Sequence, residues 1–405
     1  MAFTKTTTTG YGTRVGNSLK GMVVGLILFV VATGALFWNE RRSVRTAEAI
    51  AETQTVTESI PDVSKVDTGL NGKVIHASAR ADTKDQLTDD EFGVSGAVAI
   101  ALNRKVEYYQ YEEKATKKSK DNLGGSETTT TTYTYDAKWV SKPIDSSQFE
   151  DPQYKGKNKV LATVEEKKQY AKDVSFGGYK LPPFLIAEIR GSEAAEVKLS
   201  SAQREALKTK AGVDAQVNVN GNVVYFGKNS SAPEIGDVRV TLTKVMPAEI
   251  SLIAKVNGST FEEYVAKNGN TFSRVNMGTV SKEKMFQEAQ DENDLITWII
   301  RGVGALLVII GLRAMLGLVP TLLKVVPFLS SVADVGITLV CFIGGLAWSF
   351  LIIAIAWLFY RPIIGVPLLI VSVAGIVWLR SLAKKKKAAA LAPPVPVNET
   401  VNPPQ

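Results

Sequence analysis

The stretch Trp357–Gly365, WLFYRPIIG, carries the only charge between two long apolar runs, 335–360 and 363–379. Arg361 and Pro362 alone separate those runs, which leaves room for a tight helical hairpin and nothing larger. Proline disfavours helical dihedrals at the residue before it and suits the first turn of a following helix. Arg361 at the tip reaches headgroups and water, while Trp357 and Tyr360 fall where amphipathic rings prefer to sit. The stretch reads as a hairpin tip at a membrane interface.

Working outward, residues 21–38 are 18 residues without a charge, about 27 Å as a helix and enough to span. Residues 295–319 form a further span, crossed by Arg301 and Arg313. The expectation is therefore four spans: 21–38, 295–319, 335–360 and 363–379. Around them lie a short tail (1–20), a large insert (39–294) and a basic, Pro-rich tail (380–405). The first span reads as an uncleaved signal-anchor, because the only processing-like site, Thr33-Gly34-Ala35, sits inside the apolar run.

Four spans put both termini on one side. Short flanks on that side hold nine basic residues (Lys5, Arg14, Lys20, Lys324, Arg380 and Lys384–Lys387), against four opposite (Arg41, Arg42, Arg45 and Arg361). That asymmetry favours cytosolic termini and an extracytoplasmic insert. The fold class is α+β: a four-span helical membrane protein with a large strand-rich domain between spans one and two.

Within the insert, KVEYYQYEE (105–113) and TTTTTYTYDAKWV (128–140) suggest two strands of a long hairpin with a polar, mobile tip between them. Asn220-Gly221 between alternating apolar residues is a type I′ hairpin signal, and Asn257-Gly258 and Asn268-Gly269 repeat it. Helical patterns occupy 200–210 and 281–293, the latter with Met285, Phe286 and Ala289 on one face and running on into the second span.

Chemistry is scarce. One cysteine, Cys341, lies in an apolar run, and His76 is the only histidine, so disulfides, CxxC sites and triad chemistry have no material in the insert. No phosphate loop, dinucleotide fingerprint or metalloprotease motif occurs. Adjacent carboxylates such as Asp89-Asp90, Glu112-Glu113 and Glu165-Glu166 read as solvated surface. The composition, with a net charge of +7, comes without any nucleic-acid-binding pattern. No cofactor and no metal is expected.

The features that stand out lie in the bilayer. Arg301 and Arg313 both read most simply as snorkelling side chains; the sharper reading pairs Arg313 with Asp334, which falls at the same inner depth. Gly21 and Gly25 form a GxxxG face for helix packing, within the chain or between copies.

Several segments together resemble the transmembrane protein 43 family, also called LUMA: GMVVGLILFVVATGALFWNERRSVRTAEAIAE (21–52), VEYYQY (106–111), YTYDAKW and SSQFED (133–139 and 146–151), PEIGDVRV (233–240) and WLFYRP (357–362). The resemblance covers nearly the whole chain. It implies one N-terminal span, a large lumenal domain and a C-terminal membrane bundle. It also implies residence in the endoplasmic reticulum and inner nuclear membrane of eukaryotes, organising complexes with emerin and lamins. The scarcity of Cys and His suits a prokaryotic member, whose place is the cytoplasmic membrane. The expected function is a non-enzymatic scaffold in the lipid bilayer, homo-oligomeric and bound to other membrane proteins but not to nucleic acid. A channel or channel-accessory subunit is the alternative, and an enzyme acting on envelope substrates comes third.

Overall fold

The computed structural model describes residues 2–212, 216–363, 365–367 and 370. Along the chain, β1 (Phe3–Thr9) precedes a 46-residue helix, α1 (Tyr11–Val56). Next come β2 (Thr57–Ser59), β3 (Val74–Thr83), β4 (Gln86–Asp89), β5 (Val94–Val98), β6 (Ala101–Asp121) and β7 (Glu127–Val140). Short elements follow: β8 (Lys167–Tyr170), β9 (Val174–Phe176), β10 (Tyr179–Lys180), α2 (Pro183–Ile186), β11 (Glu193–Ala194) and α3 (Ser201–Ala211). The second half of the domain holds β12 (Val217–Asn220), β13 (Val223–Phe226), β14 (Val238–Val245), β15 (Ala248–Asn257) and β16 (Thr260–Glu262). It closes with β17 (Tyr264–Val265), β18 (Thr271–Phe272) and β19 (Arg274–Met277). Three helices end the described chain: α4 (Lys282–Leu316), α5 (Leu318–Leu323) and α6 (Pro327–Tyr360).

Two main sheets build the domain. One has the order β1-β7-β6-β14-β13-β12, with β8 added to β6 and β11 to β14; the other runs β10-β9-β3-β15-β16, with β2 and β19 at its flanks. Each covers its own apolar cluster. Ile75, Phe176, Leu185, Ile250 and Leu252 centre the second sheet's core, and Phe92, Leu102, Val224, Phe226 and Val240 the first's. Period-two alternation produces this directly, since every second residue of β14 (Val238, Val240, Leu242) faces inward. A third cluster welds the domain to the helices: Ile50 of α1 with Met285, Phe286 and Ala289 of α4, against Val74 and Ile253.

Several expectations change here. The helix that contains the expected first span, 21–38, is longer than that span: α1 continues unbroken past Trp38 to Val56. Residues 39–56 contain no Gly or Pro, and Ala, Glu and Arg sustain the helix. The tail 1–20 is not a bare tail, since it contains β1 and the opening turns of α1. The hairpin 105–140 has no long polar tip either: β6 and β7 stay paired in register from Tyr108↔Val140 to Asp121↔Glu127. Thr128–Thr132 and Thr134 of β7 supply β-branched partners along the far half of that pairing.

At Asn220-Gly221 the turn slips by one residue. Asn220 pairs with Val223, so Gly221 and Asn222 are the central residues. Of these two only Gly221 has positive φ (61°), and among the described residues no non-glycine residue does, which excludes the type I′ turn and gives the II′ pattern. Asp89, read as surface, is buried against Arg104, which donates to both its carboxylate oxygens at 2.5 and 2.8 Å. Among the described residues three helices are long and apolar enough to cross a membrane; the expected fourth span (363–379) and the tail (380–405) lie almost wholly outside the described residues.

Candidate sites in the membrane bundle

The three long helices pack antiparallel in succession, α1 on α4 and α4 on α6, with α6 also touching α1. Close approach depends on glycine. A Cβ at Gly25 would stand 2.8 Å from Gly311 O and from Ala314 Cβ, and one at Gly345 would meet Ile309 at 2.5 Å. Gly21, the other half of the expected GxxxG, has open space around it. The motif therefore divides: Gly25 serves the internal α1–α4 crossing and Gly21 does not.

At the domain end of the bundle sits a polar node that the sequence reading missed. Glu40 is fully buried, and Arg301 grips both its oxygens through Nε and Nη2, each at 2.7 Å. Trp357 Nε1 donates to the same carboxylate at 2.7 Å. The guanidinium lies 4.8 Å from the Trp298 ring centre and 5.7 Å from that of Trp357. Arg301 is thus not a lone snorkelling cation: it is bidentate, stacked and nearly enclosed. Below it, Arg42 donates to Thr297 Oγ1 (2.9 Å), Asn39 to Thr297 O (3.1 Å) and Asn293 to Ser43 O (3.0 Å), a polar seam along the α1–α4 contact. The available signal was two opposite charges at equal depth on neighbouring helices, hidden because Glu40 lies just beyond the apolar run.

Arg313 and Asp334 are adjacent, joined through Nη2 and Oδ1, and Arg313 Nε donates to Thr338 Oγ1 at 3.1 Å. This pair is looser, with side chains 30% and 48% exposed. At the tip, Arg361 leaves the helix (φ −136°, ψ 59°), its guanidinium 6.0 Å from the Trp357 ring. Gly365 N–H donates back to Arg361 O at 2.8 Å, the four-residue spacing of a helix's first turn.

The opposite end of the bundle is tied by a ribbon. β1 pairs with β7 from Phe3↔Tyr133 to Thr9↔Glu127, making three strands with the far part of β6. Arg14, itself buried, holds Asp121 at 2.6 Å and Gly125 O at 2.9 Å. Lys324 approaches Asp121 at 3.5 Å, Tyr11 OH donates to Leu322 O at 3.2 Å and Gly124 N–H to Val325 O at 3.3 Å. The ribbon thus reaches from the domain to the far end of the helices. Among the described residues no three His, Cys, Asp or Glu side chains cluster to hold a metal.

A strand-rich domain carried on apolar helices that share a buried ion pair defines a multi-pass membrane protein. The model of one family, described as transmembrane protein 43, matches residues 108–362, more than half the chain. The protein belongs to the transmembrane protein 43 family. It is similar to transmembrane protein 43 of Mus musculus (29% identical, over 87% of this chain and 88% of the relative) and of Homo sapiens (28%, 87% and 88%). It is also similar to the transmembrane protein 43 homolog of Drosophila melanogaster (28%, 87% and 92%). No solved structure matches the chain.

Proposed function

We propose that this protein is a non-enzymatic membrane scaffold that associates laterally with copies of itself and gathers other membrane proteins through its domain. The observation that carries this reading is the ribbon. Its strands are rich in Thr, Lys and Ser, and it reaches the far end of helices whose outward residues are Val, Leu, Ile and Phe. Asn158 caps the β6 backbone at Tyr111, donating to its C=O and accepting from its N–H. Beyond that point the outer edge of β6 has no strand partner among the described residues, and neither does the outer edge of β1. Acyl chains cannot satisfy open strand edges. Protein or water has to line the ribbon wherever it passes the level of the bilayer, and neighbouring copies supply that lining.

In this reading the basic-residue asymmetry sets the N-terminal end of the bundle in the cytosol, with most of residues 39–294 opposite. The ribbon tip, 122–126, then lies at the cytosolic end with β1, so the insert is not confined to one side. The Arg313–Asp334 pair and the Arg361–Pro362 tip set helix register and depth, and Gly21 is left free for a neighbour. Particle mass in several mild detergents tests the proposal: a homo-oligomer is expected. A strict monomer throughout, or turnover of a peptidoglycan, lipid or peptide substrate abolished by one substitution in the domain, sinks it.

A further inference from the structure

The strands that bury Val106, Val240 and Val224 on one face of the first sheet present their alternate residues on the other. One cross-strand row on that outer face reads Glu107, Arg239, Tyr225, Asn218. Over it opens a cavity of about 370 Å³, also lined by Trp139, Asn220 and Thr241; that volume lies at the small end of the roughly 300–1,000 Å³ usual for ligand sites.

Arg239 is held as a receptor. Its Nε donates to Glu107 Oε2 at 2.7 Å, and its guanidinium lies 4.4 Å from the Trp139 ring centre. Lys105 takes the other Glu107 oxygen at 3.0 Å, so two cations share one carboxylate. Among the described residues neither Nη of Arg239 has a hydrogen-bond partner, and the side chain is 35% exposed. A guanidinium fixed by its Nε and by stacking, with both Nη groups free, is pre-set for end-on binding of a carboxylate. Among the described residues the Asn220 amide has no partner either, and that of Asn218 makes only a 3.3 Å contact to Gly227 O.

We propose that this face binds an acidic saccharide. The carboxylate sits on the Arg239 Nη pair, the Asn218 and Asn220 amides take ring hydroxyls, and the indole of Trp139 walls the site. The inference stands independently of the scaffold reading. A peptide added to the sheet edge fits less well, because Arg204 already donates to Val217 O (2.7 Å) and Val197 N–H to Gly221 O (3.1 Å). Nucleic acid would require a longer basic track.

The test is ligand-observed NMR and titration calorimetry on the full chain in detergent, with a glucuronate disaccharide, its neutral glucose counterpart, inorganic phosphate and an acidic peptide as probes. Saturable binding of the glucuronate probe is expected, at least about tenfold tighter than the neutral sugar and weakened about tenfold by Arg239→Gln. Asn220→Ala, at an exposed residue beside the turn, should weaken it without altering the melting temperature. Absence of saturable glucuronate binding, equal binding of the neutral sugar, phosphate or peptide, or indifference to both substitutions overturns the proposal.

Discussion

Arg301 and Glu40, 261 positions apart in the chain, meet through two parallel 2.7 Å hydrogen bonds at the domain end of the bundle. Enclosing a charge pair costs desolvation, and the bond geometry offsets that cost only while both partners remain. Glu40→Ala should therefore destabilise the protein by about 3–5 kcal/mol by stranding Arg301. Adding Arg301→Met should restore part of the loss. Thermal unfolding in detergent reads the cycle, and strictly additive losses would show that the two residues act separately.

The Arg313–Asp334 pair should matter less. Both side chains are partly exposed, and a stranded Arg313 can extend toward the interface. Asp334→Ala is expected to cost about 1 kcal/mol, measured by the same melts. A loss as large as that of Glu40→Ala would contradict this ranking.

Gly25 and Gly21 separate internal packing from assembly. Gly25→Leu drives a side chain into the Gly311 and Met315 backbones and the Ala314 methyl and should lower the melting temperature steeply. Gly21→Leu should leave folding intact and, if α1 meets a neighbour there, reduce the oligomer seen by size-exclusion light scattering. Equal melting losses from both would mean that the crossing is not where the structure places it.

β1 docking is checkable in the membrane itself. Thr7 pairs with Thr129, so cysteines at both positions, in a Cys341→Ser background, should form an intrachain disulfide in isolated membranes. Crosslinking in detergent but never in membranes would detach the ribbon from the N-terminus and remove the support it gives to self-association.

Tyr135 gives a pH signature. Its hydroxyl donates to Glu113 Oε2 at 2.6 Å and accepts from Asp151 N–H at 2.9 Å. Burial, then the Glu113 hydrogen bond, push it up to about 12, against about 10 in an unfolded chain. A folded-state value above the unfolded one contributes stability that is fully present below pH ~10 and is lost as pH rises through about 12. Melts between pH 9 and 12 should fall more steeply for the native protein than for Tyr135→Phe. Parallel curves would mean the hydroxyl carries no such linkage.

How much of this was legible depends on how local each cause is. Ser281 with Met285, Phe286 and Ala289 announced α4, and the Thr and Tyr runs announced β6 and β7, because periodicity and propensity act within a few residues. The Asn220-Gly221 turn was located but mistyped, since its register is set by which residue of β13 faces the core, a tertiary choice. Partnerships were harder. Glu40 found Arg301, Arg14 found Asp121 and β1 found β7 across more than a hundred positions, and nothing in the local chain marks such pairs. Gly21 and Gly25 look alike in sequence; only the crossing point of α4 tells them apart.

The unbroken run of α1 has a mechanical consequence. Its 46 residues make a rod of about 69 Å, fixed to the domain at Ile50 and to the ribbon at Arg14. Rod, domain and ribbon close a triangle, and a triangle cannot shear without breaking a joint. Tilting the bundle must then either turn the whole domain with it or open the Arg14 joint.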